Sequence, residues 1–175
     1  MNKQERFLKL YEPIHDRFER FCRARLYGHS SFMEHSDLMN DSLLIAYDKF
    51  ESLESEKAFL SFLFGIAIRI LSNHQKKKKE ERFISEKQMV MVASSSASDL
   101  NAELHFLYEA LNQLNLEQRE SIILFEISGF SIKEIAVLHQ TSESSVKQRL
   151  KRGREKLANI LAYNSINKEK EVQNG

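Results

Sequence analysis

Gly129-Phe130-Ser131-Ile132-Lys133-Glu134-Ile135-Ala136, followed ten residues on by Val146-Lys147-Gln148-Arg149-Leu150, is the stretch that decides how this chain is read. Ser131 and Glu134 have the spacing of a capping box, in which the hydroxyl takes a backbone N–H and the carboxylate reaches back to the cap. The short helix this starts carries Ile135 and Ala136 inward. A tight turn is expected at about residues 139–142, and a second helix near Ser142 opens with small polar residues before a basic run. This spacing suits a helix-turn-helix, whose second helix lies in the DNA major groove with its N-terminal residues at the base edges. In that helix Ser144, Ser145, Gln148 and Arg149 are expected to face bases, while Lys147, Arg152 and Arg154 reach phosphates. The plain alternative is a helical hairpin with a polar outer face; the capping signals and the basic second helix favour the helix-turn-helix.

Working outward, Asn115 with Gln118 forms another capping pair ahead of Leu116, and Gly129 stands where that helix should end on a residue of positive φ. Ser55 precedes a long apolar-periodic run. Only one proline and five glycines punctuate the 175 residues, and no stretch sustains the two-residue alternation of a strand. The fold class expected is all-α, with helices near residues 4–27, 36–50, 56–80, 100–114, 116–128, 132–139 and 143–162. Val92-Ala93-Ser94-Ser95-Ser96-Ala97-Ser98 has little to bury and reads as a flexible tether. The expected organisation is a helical domain over 1–82, a linker over 83–99 and a smaller helical domain over 100–163. A disordered tail is expected over 164–175, where Lys168, Glu169, Lys170 and Glu171 leave almost nothing apolar.

The net charge of +1, from 26 Lys plus Arg against 25 Asp plus Glu, hides three unlike segments. Glu34 to Glu56 holds seven acids and one base, a balance of −6. Lys57 to Arg82 holds seven bases and two acids, and Lys147 to Lys156 six bases and one acid, a balance of +5 in each. The single cysteine, Cys22, can form neither an internal disulfide nor a thiolate cluster, which suits a reducing compartment. The charged start Met1-Asn2-Lys3-Gln4-Glu5-Arg6 does not read as a secretory signal. The longest apolar stretch, Ala58 to Leu71, contains Ser61 and Arg69 and falls short of the roughly 20 residues a bilayer span requires. A cytoplasmic protein without membrane insertion is expected. Six scattered histidines make no catalytic constellation, and Cys22, His29 and His35 lack the spacing of a zinc site, so neither enzyme activity nor a metal or other cofactor is expected.

The segment from Ala110 to Leu161 resembles region four of bacterial sigma factors. The residues that carry this are Leu114, Arg119-Glu120, Leu124, Gly129-Phe130-Ser131, Glu134-Ile135-Ala136, Ser142, Val146-Lys147, Arg149-Leu150, Arg154 and Leu157. Many response regulators share that core, so the N-terminal half discriminates. Asp37-Leu38-Met39-Asn40-Asp41-Ser42-Leu43-Leu44 with Ala46-Tyr47 resembles the region-two segment of the extracytoplasmic-function (ECF) sigma factors. Phe62-Leu63-Phe64-Gly65-Ile66-Ala67, running on to Asn73-His74 and the lysines, resembles the helix that follows it.

The resemblance implies two small helical domains, a region-two bundle and a region-four helix-turn-helix, in a subunit that confers promoter recognition on core RNA polymerase. It implies that Asp37, Leu38, Asn40, Asp41, Leu44 and Asp48 dock on polymerase. It further implies that Arg69, Asn73, His74, Lys76 and Lys77, with the loop from about Leu53 to Lys57, hold the minus-ten element of promoter DNA as a single strand. Region four then reads the minus-thirty-five duplex, and an anti-sigma factor is the inhibitory partner the family implies. Phe59, Phe62 and Phe64 invite a base-stacking role, but Phe59, Phe62, Leu63, Ile66 and Ile70 follow helical spacing and are expected in the core.

Three departures from the family stand out. Ile68 and Arg69 stand where Arg then Asn is common, and Asn115 where Pro is frequent. His139, Gln140 and Thr141 replace the usual Leu, Gly and Ile of the turn, so either the turn differs or Gln140 bears a left-handed conformation. The alternative function is a helix-turn-helix regulator that binds duplex DNA without acting as a sigma subunit; tight dimeric binding without polymerase would mark it.

Overall fold

The computed structural model describes residues 1–28, 33–84 and 102–173, and for 78–84 and 164–173 the backbone alone. Among the described residues every regular element is helical. The chain divides into two compact units, Met1–Ala93 and Ser94–Gly175. Most of the expected linker, residues 85–99, lies outside the described residues.

The first unit contains α1 (Lys3–Tyr11), α2 (His15–Leu26), α3 (His35–Asp48) and α4 (Phe59–Ile84). Asn2 starts α1 through a reciprocal box with Glu5, both bonds at 2.9 Å. The single helix expected over 4–27 is interrupted, because Pro13 has no N–H and its ring collides with the carbonyl four residues back. Glu12–Ile14 accordingly forms a tight 3-10 turn and the helix restarts at His15. In α2 the stripe Phe18, Phe21, Cys22 and Arg25 is buried at three- and four-residue spacing. In α3 the buried stripe is Leu38, Met39, Ser42 and Ala46, and this face packs on α2 and α4.

Two aromatic clusters hold this bundle. Phe7 meets Tyr47, Phe50 and Phe59 edge-on with centroids 5.3, 5.4 and 5.3 Å away, tying α1 to the end of α3 and the start of α4. Phe64 lies 5.1 Å from Phe18 and 5.0 Å from Phe21, tying the middle of α4 to α2. Phe59 and Phe64 are thus core residues, with Leu63 and Ile66 buried beside them, while Phe62 and Ile70 are half-buried. Ser55 caps a 3-10 turn at Glu56–Ala58, so α4 proper begins at Phe59 and runs past the expected end at residue 80 to Ile84.

The second unit contains α5 (Ala102–Asn112), α6 (Leu116–Ile122), α7 (Ile132–Leu138) and α8 (Glu143–Gln173). The expected α-helix over 116–128 changes character: Ile123–Ile127 is a wider π turn, and the Ser128 N–H donates to the Ile123 carbonyl five residues back at 2.9 Å. The wider turn accompanies burial of three consecutive apolar residues, Ile122, Ile123 and Leu124. Gly129 then reverses the chain with φ of 67°, the left-handed conformation that glycine adopts without steric cost.

The structure also differs over the tail. α8 continues to Gln173, through residues the sequence reading assigns to a disordered segment. Lys, Glu, Ile and Gln propagate a helix readily once it is nucleated, and no Gly or Pro intervenes before Gly175, so a missing apolar stripe does not end it.

α8 packs against α6, α7 and α5. Its approach to α6 is close: a Cβ on Gly153 would lie 2.7 Å from Ile122 Cδ1 and 3.3 Å from Gln118 Cβ. A glycine inside a helix costs about 1 kcal/mol relative to alanine, and here it permits that contact. Val146, Leu150 and Gly153 form the buried stripe of α8.

The core predicts its own weak point. Phe64→Ala removes a fully buried ring that touches two others, and should destabilise the first unit by about 3–5 kcal/mol, read as a lower denaturant midpoint.

Candidate nucleic-acid interface

The motif that opens the sequence reading folds as a helix-turn-helix. The Ser131 box is complete: the Glu134 N–H donates to Ser131 Oγ at 3.2 Å and the Ser131 N–H to Glu134 Oε2 at 2.8 Å. Ile135 and Ala136 are buried beneath it. Of the Asn115 pair the forward bond is present, the Gln118 N–H donating to Asn115 Oδ1 at 2.9 Å.

The turn resolves the two possibilities left by its sequence. Gln140 takes the left-handed conformation with φ of 50°, the one non-glycine residue with positive φ among those described. The Gln140 N–H donates to the Val137 carbonyl at 3.2 Å and the Thr141 N–H to the Ala136 carbonyl at 2.9 Å. These are the two bonds of a Schellman cap, so the geometry usual with glycine is kept and Gln140 carries its strain. Ser142 caps the next helix, its Oγ accepting from the Ser145 N–H at 3.1 Å and lying 2.9 Å from Ser145 Oγ.

Around α8 the expected contact residues separate into two groups. Ser144, Lys147, Gln148 and Arg152 are exposed on the side opposite Val146, Leu150 and Gly153. Lys151 shares that exposed side, and its place was readable from the seven-residue step that joins it to Ser144. Ser145 is half-buried, with its hydroxyl engaged in the cap. Arg149 differs from expectation: it turns away from the exposed side, is 21% exposed, and its Nη2 sits 3.1 Å from Glu117 Oε1. Five residues advance an α-helix by about 140° beyond a full turn, so Arg149 cannot share a side with Ser144. Arg154 is exposed but paired, with Nε and Nη2 donating to Glu126 Oε1 at 2.9 and 2.6 Å and the guanidinium 5.2 Å from the Phe125 centroid.

Arg149 belongs to a chain of polar contacts that runs from the exposed Glu117 to the buried His139 and Glu120. Its Nη1 lies 3.4 Å from His139 Nδ1, and His139 Nε2 lies 3.4 Å from Glu120 Oε2. A guanidinium only donates, so Nδ1 accepts and Nε2 carries the hydrogen in the neutral ring; its 3.4 Å approach to Glu120 is a close polar contact without hydrogen-bond geometry.

In the first unit, α3 presents Asp37, Asn40, Asp41, Leu44 and Asp48 on one exposed side. Leu44 is 71% exposed, with Asp41 and Asp48 one turn away on either side along the helix. Leu38, expected on this side, is instead fully buried; one residue past Asp37 it is turned by about 100° and lies one turn before Ser42 on the stripe facing α2 and α4. Asp37 also serves the helix start, its Oδ2 accepting from the Glu34 N–H at 3.2 Å. Lys3 adds a contact absent from the sequence reading, with Nζ 4.5 Å from the Tyr47 centroid and 3.5 Å from the Asp48 carbonyl.

Along α4, Arg69, Asn73, Lys76 and Lys77 are exposed and His74 is half-buried. Steps of four and three residues place Arg69, Asn73 and Lys76 on one side. In the loop before α4, Arg6 reaches Glu56 Oε1 at 3.4 Å and Glu51 Oε2 at 3.8 Å, while Glu54 and Lys57 are exposed.

Cys22 is fully buried, and burial pushes its thiol well above the usual range, which disfavours a ligating thiolate; His29 lies outside the described residues. His15, Asp16 and Glu19 gather within 4.8 Å, but Glu19 Oε1 accepts from Arg23 Nη2 at 2.8 Å and His15 Nδ1 bonds the Tyr11 hydroxyl at 2.8 Å. The Arg23 hydrogen bond holds the Glu19 carboxyl below its ordinary value, and burial raises Tyr11 to about 12. No helix among the described residues is long and apolar enough to cross a membrane.

The chain thus carries a helix-turn-helix in its second unit and an acidic exposed helix side in its first. Residues 107–157 match the family model for sigma-70 region 4. The chain is 28% identical over 162 residues to the RNA polymerase sigma factor CarQ of Myxococcus xanthus, covering 90% of each. It is 27% identical over 157 residues to the ECF RNA polymerase sigma factor SigM of Mycobacterium tuberculosis, covering 90% of this chain and 78% of that one. The sigma factor RpoE of Bartonella quintana, solved with the anti-sigma factor NepR, superposes with a TM-score of 0.77 at 27% identity, over 89% of this chain and 96% of that one. The second unit thus carries a match to sigma-70 region 4, and the chain over most of its length is similar to ECF RNA polymerase sigma factors.

The turn yields a direct test. Gln140→Gly relieves a left-handed strain of about 1–2 kcal/mol against roughly 0.5–1 kcal/mol of added unfolded-state entropy. The variant should therefore be more stable by about 0.5–1 kcal/mol, seen as a raised melting temperature of the second unit.

Proposed function

We propose that α8 reads the minus-thirty-five duplex through Ser144, Gln148, Lys147, Lys151 and Arg152, while the first unit binds polymerase through α3 and the minus-ten strand through α4. The observation that carries this is the exposed side of α8, where small and polar residues of the first turn give way to cations directly opposite the buried stripe. Gln148 suits the paired donor and acceptor of adenine, and Lys147, Lys151 and Arg152 suit phosphates on either side of the groove. On α4, Arg69, Asn73, Lys76 and Lys77 follow a single strand by its charge, with His74 at the margin. Phe59 and Phe64 are buried in the core and offer no stacking face, so base capture falls to the loop from Leu53 to Lys57.

The acidic side of α3 suits a basic surface of core polymerase, with Asp41 and Asp48 steering the encounter and Leu44 supplying apolar contact at its centre. The chain performs no covalent chemistry of its own and works in the cytoplasm. An anti-sigma factor, the kind of partner carried by the Bartonella relative, is a third partner that would cover these same surfaces. Promoter selection requires both DNA contacts together, because a tether adds their free energies only when polymerase fixes their separation.

Run-off transcription with purified core polymerase on fragmented genomic DNA should yield discrete start sites that depend on the chain; none appearing would refute the sigma reading. On the promoter so found, Gln148→Ala should cost about 1–3 kcal/mol and relax specificity at one base pair. Lys147→Ala should weaken binding at every sequence and flatten the salt dependence by about 0.9 in slope. Asp41→Lys should abolish co-purification of core polymerase with an unchanged circular dichroism melt; normal recovery of the polymerase subunits would remove α3 from the docking surface.

A further inference from the structure

Arg149 sits in the basic run of the reading helix, yet its surroundings are those of a group held inside the protein. We infer that Arg149 is a positioning residue: with His139 it braces α8 against Glu117 and Glu120 of α6, and so sets the rotation at which the exposed side of α8 meets DNA. This rests on α8 being the reading helix.

Three observations converge. The first is the continuity of the chain Glu117, Arg149, His139, Glu120, with separations of 3.1, 3.4 and 3.4 Å and both acids on α6 three residues apart. Its inner members are nearly sealed from water, His139 at 7% and Glu120 at 11% side-chain exposure. Sending Arg149 to a base or phosphate would take away the donor that faces His139 Nδ1 in that closed space, a poor exchange for one contact at the protein surface.

The second is its place relative to Gly153. Residues 149 and 153 lie one turn apart on α8, and their partners 117 and 118 adjoin on α6. The Gly153 contact limits how closely the two helices approach but leaves α8 free to roll about it. An ion pair one turn away, on the flank of the helix, removes that roll. The third is the turn itself: Gln140 bears a left-handed conformation without glycine's freedom, and His139 beside it is polar and buried. The brace holds the residue next to the strained one, so the same contacts that orient α8 also keep the turn closed. Arg149 also neutralises Glu117, whose carboxylate is 65% exposed.

The test is an exchange of charges in the intact holoenzyme, using the promoter selected by run-off transcription. Glu117→Arg and Arg149→Glu are made singly and together, each checked by its circular dichroism melt. Each single variant should lower promoter affinity about 5- to 30-fold. The double variant should recover to within about 3-fold of the parent, with an unchanged slope of log K against log salt. A double variant no better than Arg149→Glu alone would place Arg149 on DNA and overturn the proposal. Single variants with parental affinity would overturn it equally.

Should the exchanged carboxylate beside Glu120 prevent folding, the neutral pair Glu117→Gln with Arg149→Gln decides by the same rule. Recovery above Arg149→Gln alone supports the brace, and its absence refutes it. Failure of the underlying reading looks different: Lys147→Ala and Gln148→Ala would then leave promoter affinity untouched, whatever the pair does.

Discussion

Every described helix in this protein must bury an apolar stripe of about a third of its circumference, and the charge of each exposed side is what remains for function. In α3 the stripe Leu38, Met39, Ser42, Ala46 leaves Asp37, Asp41 and Asp48 together around Leu44. In α4 it leaves Arg69, Asn73 and Lys76, and in α8 it leaves Lys147, Gln148 and Lys151. A one-residue shift in any of these stripes rotates the helix by about 100° and disperses the surface. The aromatic contacts of Phe7 and Phe64 therefore matter to function as well as to stability, because they hold α3 and α4 in register within their unit.

The second unit solves the same problem with less material. α7 spans seven residues and cannot hold α8 by apolar area alone, so the orientation of α8 depends on contacts of other kinds. Gly153 admits close approach to α6, Ser142 caps the first turn, and the polar chain from Glu117 to Glu120 fixes the flank. The turn carries real strain at Gln140, and its Schellman bonds offset part of it. Placing a strained residue between two rigid, capped helices keeps the cost local, because neither helix can relax by unwinding.

How much of this was legible in the sequence follows from which features are local. Capping at Ser131, the positive φ of Gly129 and the apolar spacing of α4 depend on residues within one or two turns, and each could be read directly. Leu38 was misassigned for a related reason: the acidic run was read as a segment, whereas each helical residue turns by about 100°, so Leu38 beside Asp37 falls in line with Ser42 on the buried stripe. Pro13 was a local signal left unused. The placement of Arg149 was not readable at all, because its partners lie 32 and 10 residues away and a cation in a basic run looks the same whether it faces DNA or Glu117. The π turn at Ile123–Ile127 likewise answers to packing within the second unit and leaves no mark in apolar periodicity.

The internal pairs alter the electrostatics of DNA binding. Lys147 to Lys156 carries a balance of +5, but Glu117 offsets Arg149 and Glu126 offsets Arg154, which takes two from five and leaves +3. Since each phosphate neutralised contributes about 0.9 to the salt slope, two arginines already paired with carboxylates offer less non-sequence-specific attraction than two free ones. What remains is concentrated on the side that carries Gln148. A sigma factor whose free form clung to any duplex would be drawn from polymerase by the bulk of the chromosome. Compensated arginines and an acidic α3 keep the free chain near neutrality, which on the proposed reading leaves tight DNA binding to the assembly that brings both DNA contacts to bear at once.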